Sequence, residues 1–216
     1  MRVERRPVGP FDNNLYVLST PGSTDAVVVD PCGDDGTVLE ELGRRGLTVK
    51  RILLTHAHID HILAVRAYRE ATGAPVWLHP GDRWWLERAP AQAATFQLPW
   101  DGAFEVDHWI VDGEEVGLPG IEARAVETPG HSPGSVTFVT PEGLISGDVL
   151  FAGSVGRTDL PLSDPDALVR SVRERLFAYP DATHVYPGHG PATTIGAERR
   201  SNPFVGDAAL GHRQSV

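Results

Sequence analysis

Short apolar segments alternate with turn residues along this chain, and the alternation predicts its first strands and helix. The segments "LYVLST" and "DAVVVD" are rich in the β-branched and aliphatic residues typical of strands, and the turn "PGSTD" joins them as a hairpin. "TVLEELGRRG" predicts a helix that ends at a glycine, and "KRILLT" predicts the strand that follows this helix.

The rest of the chain continues this pattern with two further helices and four further strands. "HILAVRAYREATG" has apolar residues at helical spacing and ends at Gly73. "SDPDALVRSVRERLF" predicts a helix with Ser163 or Asp164 as its cap and Pro165 in its first turn. The further strands are short apolar runs that end beside turn residues: "PVWLH", "VTFVT", "GLISGD" and "THVYPGHG". This order predicts sheets with helices packed outside them, in an α/β fold.

The size and composition of the chain are those of one globular domain. It has 216 residues, of which 41% are hydrophobic and 22% are charged. We expect this domain to span residues 1–204. Residues 205–216 are expected to form a flexible C-terminal tail.

The charge of the chain limits the partners that it is expected to bind. Its formal net charge of −10 argues against nucleic acid or an anionic membrane as the main partner. The basic start, "MRVERRPVGPFDNN", has no apolar stretch behind it, and no run approaches the roughly 18 apolar residues of a membrane-spanning helix. The single cysteine, Cys32, excludes an intrachain disulfide. We therefore expect a cytoplasmic protein whose partner is a small molecule.

The stretch "THAHIDH" concentrates groups that bind metal ions. His56 and His58 are two positions apart on extended chain, so their side chains point the same way. Asp60 and His61 follow where the chain turns into a helix. Imidazole and carboxylate are ligands suited to zinc and to other divalent first-row metals. Four such groups within six positions favour a metal site over a solvated loop.

Three later segments supply further candidate ligands, each where a predicted strand ends beside glycine. They are His131 in "ETPGHSPGS", Asp148 in "LISGDVL" and His189 in "YPGHG". Each residue alone is more simply explained as an ordinary surface or core residue. Together with the first cluster they indicate a site for two metal ions, which Asp148 can bridge with its two oxygens.

These motifs resemble those of the metallo-β-lactamase fold superfamily. The resemblance is carried by "THAHIDH", by "TPGHSPGS", by "SGD" and by "GHG", and it covers most of the chain. It implies a four-layer αββα sandwich with the metals at one edge of the two sheets. Asp30 in "VVVDP" matches the aspartate that supports the metal ligands in this family.

The resemblance also implies which residues bind each metal. His56, His58 and His131 are expected to hold the first ion, Asp60, His61 and His189 the second, and Asp148 both. His58, Asp60 and Asp148 are the residues that we expect to act in catalysis. A complete set implies two divalent metal ions and a bridging hydroxide, because the cations lower the pKa of bound water. Zinc is the expected metal, with iron or manganese as alternatives.

Within this superfamily the chain closely resembles short bacterial proteins grouped with glyoxalase II (hydroxyacylglutathione hydrolase). The segments "LFAGSVGRTDLP" and "GPATTIGAERRSNPF" carry this likeness. It implies attack of the metal-bridging hydroxide on a glutathione thioester such as S-D-lactoylglutathione. Arg157 is at the position of a cationic residue that contacts glutathione in that group, and arginine suits a carboxylate. A pair with the nearby Asp159 explains Arg157 equally well.

Other functions on the same fold stay open. A persulfide dioxygenase has a similar "GRTD" loop and uses one iron, for which the corresponding ligands here are His56, His131 and Asp148. Hydrolysis of a lactone, another ester or a β-lactam is a further alternative. A binding module without activity is the weakest alternative, because no ligand of the set is missing. Metal content discriminates the first alternative from the hydrolase.

The segment 83–104 is rich in tryptophan and phenylalanine and has two interpretations. Its position in the chain allows it to cover the metal site and to form the wall of an acyl pocket. Packing in the core is the simpler explanation for Trp84 and Trp85.

Overall fold

Two β-sheets form the centre of this protein, for which a computed structural model describes residues 1–33, 36–100 and 102–211. The first sheet has six strands in the order of the chain. These are β1 (Arg2–Val8), β2 (Asn13–Ser19), β3 (Asp25–Val29), β4 (Thr48–Leu53), β5 (Val76–Leu78) and β6 (His108–Trp109). The pairs β1–β2 and β2–β3 are antiparallel, and the pairs from β3 to β6 are parallel.

The second sheet has five strands, and a separate two-stranded ribbon lies between its third and fourth strands in the sequence. The sheet contains β7 (Arg124–Glu127), β8 (Val136–Thr140), β9 (Gly143–Gly147), β12 (His184–Pro187) and β13 (Thr193–Thr194). The ribbon pairs β10 (Leu150–Phe151) with β11 (Ser154–Val155). Strand β12 runs parallel to β9, and the other neighbours in the sheet are antiparallel.

The described α-helices are short, and all but the last two lie between strands in the chain. They are α1 (Thr37–Arg44), α2 (Ile59–Ile62), α3 (Val65–Thr72), α4 (Arg83–Glu87), α5 (Ala89–Phe96), α6 (Pro165–Arg170), α7 (Ile195–Ser201) and α8 (Asp207–Gly211). A π-helical segment, Ser171–Leu176, continues α6. The side chain of Asp164 caps α6 by accepting a hydrogen bond from the Ala167 amide at 2.9 Å, as the sequence predicts.

Three apolar cores separate the layers of the fold. Alternate residues of β3 belong to different cores, because successive side chains of a strand point to opposite faces. Val28 packs with the helices of the first half of the chain, whereas Val27 and Val29 pack between the two sheets. The third core packs β9 and β12 against α6 and α7. The layers are therefore helix, sheet, sheet and helix, and the predicted four-layer αββα sandwich is confirmed.

Three local features differ from the sequence expectations. The charged start of the chain forms the antiparallel strand β1, which its polar pattern did not predict. The helix predicted across 61–73 is two helices, because the chain leaves helical geometry at Ala64. Within the predicted flexible tail, Val205 is buried and residues 207–211 are helical, while 212–216 lie outside the described residues. The boundary at residue 204 stays a prediction.

Within the described parts of the chain, no helix has the length and apolar character that crossing a membrane requires.

Candidate metal centre

The predicted site residues lie where five strands end at one edge of the sandwich. Strands β3 and β4 run parallel in the first sheet, and β7, β9 and β12 share one direction in the second. Their carboxyl ends therefore meet at the same edge. Asp30 follows β3, the "THAHIDH" loop follows β4, and His131, Asp148 and His189 follow β7, β9 and β12. All seven predicted ligands come together here, although 133 positions separate His56 from His189 in the chain.

One group of potential ligands contains His56, His58 and His131, which are all buried. One ring nitrogen from each residue lies within 4.8 Å of the others. The closest pair is His58 Nδ1 and His131 Nε2, at 2.8 Å. Three imidazole nitrogens that converge in this way form a suitable set for one divalent cation.

A second group contains Asp60, His61 and His189, whose ligand atoms also lie within 4.8 Å of one another. The Nε2 atom of His189 is 3.2 Å from Asp60 Oδ2, and the Nε2 atom of His61 is 3.6 Å from the same oxygen. This group is more accessible than the first, because the side chain of His189 is 27% exposed.

Asp148 lies between the two groups. Its Oδ1 atom is 3.3 Å from His61 Nε2, and its Oδ2 atom is 3.5 Å from His189 Nε2 and 3.7 Å from His131 Nε2. One carboxylate therefore faces ligands of both groups. This is the position that a bridging carboxylate requires.

In four of the five histidines, the ring nitrogen that faces away from the centre lies within hydrogen-bond distance of another protein group. His131 Nδ1 lies 2.8 Å from the Arg157 carbonyl, and His189 Nδ1 lies 3.2 Å from the Phe11 carbonyl. His61 Nδ1 lies 2.9 Å from Asp30 Oδ2, and His56 Nδ1 lies 3.0 Å from the Thr55 hydroxyl. Such contacts orient a metal-binding imidazole and select its tautomer.

Several atoms that face the centre have no hydrogen-bond partner. Among the described residues, these buried atoms include Nε2 of His56, Nε2 of His61 and Oδ1 of Asp148. Burying polar atoms without partners is unfavourable, so such atoms call for a ligand that the protein itself does not supply. Divalent metal ions fit this requirement, because both atom types are good ligands.

Burial is the largest influence on the pKa of two histidines of the first group, His56 and His58. It lowers the pKa of His58 to about 3, and the charge of His131 adds to this effect. It also holds the pKa of His56 well below the ordinary value, together with the charges of the neighbouring histidines. Both imidazoles are therefore neutral at physiological pH, and their nitrogen lone pairs can bind a cation.

In the second group, nearby carboxylates raise the pKa of the histidines instead of leaving it lowered. Burial disfavours a proton on His61, but the charges of Asp148 and Asp60 outweigh it and raise the pKa of His61 well above the ordinary value. The pKa of His189 is also raised against the effect of burial, by its hydrogen bond with Asp60 and by the charge of Asp148. Burial raises the pKa of the two aspartates, yet the charge of His61 lowers both below their ordinary values. A cation that binds here displaces protons from these histidines.

Asp30 lies beside the candidate ligands and contacts the loop that carries them. Its carboxylate accepts hydrogen bonds from the Thr55 amide at 2.7 Å and from the Thr55 hydroxyl at 2.6 Å, and it also holds His61. Cys32 donates to the Asp30 carbonyl through Sγ at 2.7 Å and is fully buried. Burial raises the pKa of this thiol well above its ordinary value, so Cys32 is a packing residue in the thiol form.

Two buried polar residues that support the site were not found from the sequence. Asn13 donates a hydrogen bond from Nδ2 to Asp60 Oδ2 at 2.9 Å. Asp82 accepts hydrogen bonds from the Ala57 amide at 2.7 Å, from the Ser132 hydroxyl at 2.8 Å and from the Gly134 amide at 2.6 Å. Asp82 thereby connects the loop of His56 and His58 with the loop of His131. Neither residue has a motif of its own, because each acts through contacts distant in the chain.

Gly188 allows the backbone to approach the centre closely. A Cβ atom at this position would lie 2.1 Å from Asp148 Oδ1 and 2.7 Å from His61 Cε1. No side chain fits in that space.

A cavity of about 410 Å³ opens onto the centre. The aromatic segment 83–104 contributes Trp85 and Phe96 to its wall, and the ring of Trp85 packs 4.5 Å from that of His58. Trp85 therefore belongs to the core and to the cavity wall. Arg157 also lines the cavity, but its guanidinium makes two hydrogen bonds to Asp159, at 2.6 and 2.8 Å.

Comparisons with known proteins agree with this geometry. The family model described as the metallo-beta-lactamase superfamily matches residues 8–189. The chain is 36% identical over 209 residues to hydroxyacylglutathione hydrolase GloC of Haemophilus influenzae, covering 95% of this chain and 98% of the relative.

Two crystal structures at 40% sequence identity have the same fold. The B3 metallo-beta-lactamase BLEG-1 superposes with a TM-score of 0.88, over 94% of this chain and 99% of that protein. TTHA1623, which was solved in a di-iron-bound form, superposes with a TM-score of 0.86 over 94% of this chain and 100% of that protein.

Proposed function

The chain belongs to the metallo-beta-lactamase superfamily of hydrolases, and from this premise we propose that it cleaves a glutathione thioester such as S-D-lactoylglutathione. The observation that carries the proposal is the convergence of five imidazoles and two carboxylates, of which several inward-facing atoms are buried without a partner. The likeness to GloC supports glutathione as the thiol part of the substrate.

In this proposal the seven side chains hold two divalent metal ions. His56, His58 and His131 would hold the first ion, and Asp148 would complete the ligands of both ions, in agreement with its position between the groups. The ligands of the second ion are Asp60, His61 and His189. Zinc is the metal that we propose, and iron is the first alternative because TTHA1623 binds two iron ions.

The protein side chains orient the reaction. When bound, two such cations supply a nucleophilic hydroxide at neutral pH and polarise the carbonyl of the substrate. Asn13 and His189 hold Oδ2 of Asp60, so this carboxylate has a defined direction within the centre. The Phe11 and Arg157 carbonyls keep His189 and His131 turned toward the centre.

The residues around the cavity favour a leaving group that departs without a proton. Among the described residues that line it, Arg157 is the one titratable group outside the proposed ligands, and arginine does not release its proton at neutral pH. A thiol with a pKa near 8.5 leaves as the thiolate with little acid assistance, whereas an amide nitrogen requires a proton. This argument supports a thioester as the substrate.

The test is the release of free thiol from S-D-lactoylglutathione by purified protein of known metal content. We expect about two metal ions per chain and a kcat/KM near the ~10⁴ M⁻¹s⁻¹ common among enzymes, with activity lost after chelation and restored by metal. We expect Asp60→Asn to lower turnover by orders of magnitude. Asp166→Asn, an exposed substitution on α6, is the matched control that leaves turnover unchanged. No thiol release by protein with two bound metals would exclude this substrate.

Hydrolysis of another acyl bond is a second candidate, since the chain is 40% identical to a protein described as a B3 metallo-beta-lactamase. The same preparation assayed with a chromogenic cephalosporin and with a lactone tests this alternative. A kcat/KM higher for either compound than for every thioester would favour it. A single bound iron with oxygen uptake from glutathione persulfide would instead indicate a dioxygenase.

A further inference from the structure

The cavity beside the metal centre has mainly apolar walls. Its volume of about 410 Å³ is near the lower end of the range of roughly 300–1,000 Å³ for small-molecule sites. Apart from the proposed ligands, most of the lining residues are aromatic or aliphatic: Phe11, Ile59, Trp85, Phe96, Phe151, Val155 and Leu160. Such a wall favours an apolar group of a ligand.

The neutral polar groups of the wall are not available to a ligand. Gln92 accepts a hydrogen bond from the Ile59 amide at 3.1 Å and donates one to the Trp85 carbonyl at 2.9 Å, so both ends of its amide are engaged. The indole Nε1 of Trp85 is enclosed in the protein, so the part of this ring that lines the cavity is carbon. Among the described lining residues outside the proposed ligands, no neutral side chain therefore offers a free hydrogen-bonding group to a hydroxyl.

The charged group of the wall is also engaged. Arg157 forms a two-point ion pair with Asp159, and both side chains are more than half exposed. The cavity therefore presents no unpaired cation among its described lining residues, apart from the histidines of the centre. A carboxylate of a substrate can reach Arg157 only at the outer rim and in competition with Asp159.

The aromatic residues divide the cavity into an inner part and a mouth. Trp85 is only 6% exposed and packs on His58, so it forms the inner wall beside the first group of ligands. Phe11 and Phe96 are about half exposed and pack edge to face with ring centres 6.3 Å apart. They come from the β1–β2 turn and from the end of α5, and together they form an apolar rim at the mouth.

We propose that this cavity binds an apolar acyl group, so that among glutathione thioesters those of unbranched or aromatic hydrophobic acids are cleaved more efficiently than those of hydroxy acids such as lactate. The inference rests on the proposed thioester hydrolysis and specifies its substrate class. The acyl group lies between Trp85 and the Phe11–Phe96 pair, with its carbonyl carbon at the metal centre. The larger, polar thiol part extends through the mouth into solvent.

The first test compares thioesters that share glutathione and differ only in the acyl group. We expect kcat/KM to rise about two- to fourfold for each methylene from propionyl to hexanoyl, because each buried methylene contributes favourably. The propionyl and lactoyl thioesters differ by one hydroxyl, and we expect the propionyl compound to react at least as efficiently. A tenfold or greater preference for lactoyl, or no dependence on chain length, would overturn the inference.

Variants of two exposed phenylalanines test whether the dependence of kcat/KM on acyl chain length arises in the cavity. Phe96→Ala removes one ring of the mouth, and we expect it to reduce the preference for hexanoyl over propionyl about threefold or more. Phe204→Ala is the matched control, because Phe204 is also about half exposed but does not line the cavity. An equal chain-length preference in both variants would contradict the proposed position of the acyl group.

A binding measurement separates this inference from the proposed reaction. Calorimetry of the metal-loaded protein with propanoate, butanoate and hexanoate, the carboxylate products, does not depend on turnover. We expect affinity to rise with chain length in the natural protein and less steeply in Phe96→Ala. Chain-length-dependent binding without turnover of any thioester would sustain the apolar site and reject thioester hydrolysis. Equal affinity for all three acids would reject the apolar site even if thioesters are cleaved.

Discussion

Individual residues of this centre combine deep burial with polar chemistry. His56, His61 and His131 are each no more than 3% exposed, yet each has a ring nitrogen turned toward other polar groups. Their outward nitrogens have partners in Thr55, in Asp30 and in a backbone carbonyl. The protein thus satisfies one side of each ring and leaves the other side to a cation, which is the arrangement of a metal site.

Gly188 gives a sharp test at the scale of one residue. We expect Gly188→Ala to reduce bound metal strongly, because the added methyl would overlap Asp148 Oδ1 and contact His61. Metal content after dialysis at a fixed free-metal concentration measures this effect. Gly43→Ala is the matched control, since Gly43 lies in α1 with open space around its Cβ position. Unchanged metal content in Gly188→Ala would show that the backbone there is not packed against the ligands.

At the scale of elements, the site depends on loops that follow strands of both sheets. The loop after β4 and the helix α2 that follows it carry four of the predicted ligands, and the loops after β7, β9 and β12 carry the other three. Asp82, at the start of α4, connects the first of these loops with the loop of His131 through three hydrogen bonds. Its pKa is raised because burial outweighs those bonds. We infer that Asp82 acts as a positioning residue between the two loops.

Replacing Asp82 therefore tests how the loops are held together. In Asp82→Asn an amide NH₂ group faces backbone donors, so at least one of the three hydrogen bonds is lost. We expect a loss of about 1–3 kcal/mol in the free energy of unfolding and a ten- to hundredfold weaker affinity for metal. Competition with a metallochromic chelator measures the affinity. Asp166→Asn serves as the control, and equal affinity in both variants would contradict the positioning role.

At the scale of the whole molecule, the metal centre joins the two sheets. The first sheet supplies His56, His58, Asp60 and His61, and the second supplies the remaining three ligands, so a bound cation connects both. The Tyr16 hydroxyl of β2 also donates to the Pro187 carbonyl of β12 at 2.7 Å. Binding of a ligand to the folded state alone stabilises it according to ligand concentration and affinity.

Metal removal should therefore lower the thermal stability of the entire domain. At a free metal concentration of about a thousand times Kd the stabilisation is roughly 4 kcal/mol, which corresponds to a rise in Tm of about 8–16 °C for a chain of this size. Scanning calorimetry of chelated and metal-loaded protein measures the shift. Asp148→Asn is expected to show a smaller shift. The same Tm with and without metal would contradict a cation that connects the sheets.

The sequence by itself determined the elements whose physical causes are local. The apolar runs of β2 and β3 are visible because both faces of these strands are buried. The "THAHIDH" cluster is visible because it places four potential ligands within six positions. His131, Asp148 and His189 are visible because each follows a predicted strand and stands beside a glycine. These features led to the superfamily and to the αββα fold, which the comparisons and the structure confirm.

Only the tertiary structure decided the features that depend on contacts between distant segments. The charged strand β1 is held by its pairing with β2 and not by its own pattern. Asn13 and Asp82 support ligands far from them in the chain, and Phe11 meets Phe96 across 84 intervening residues. Arg157, which the sequence left between a substrate and Asp159, is paired with Asp159. The sequence pattern of a segment shows which of its residues are apolar and become buried. Which residue of a distant segment each side chain contacts is decided by the packing of the two sheets.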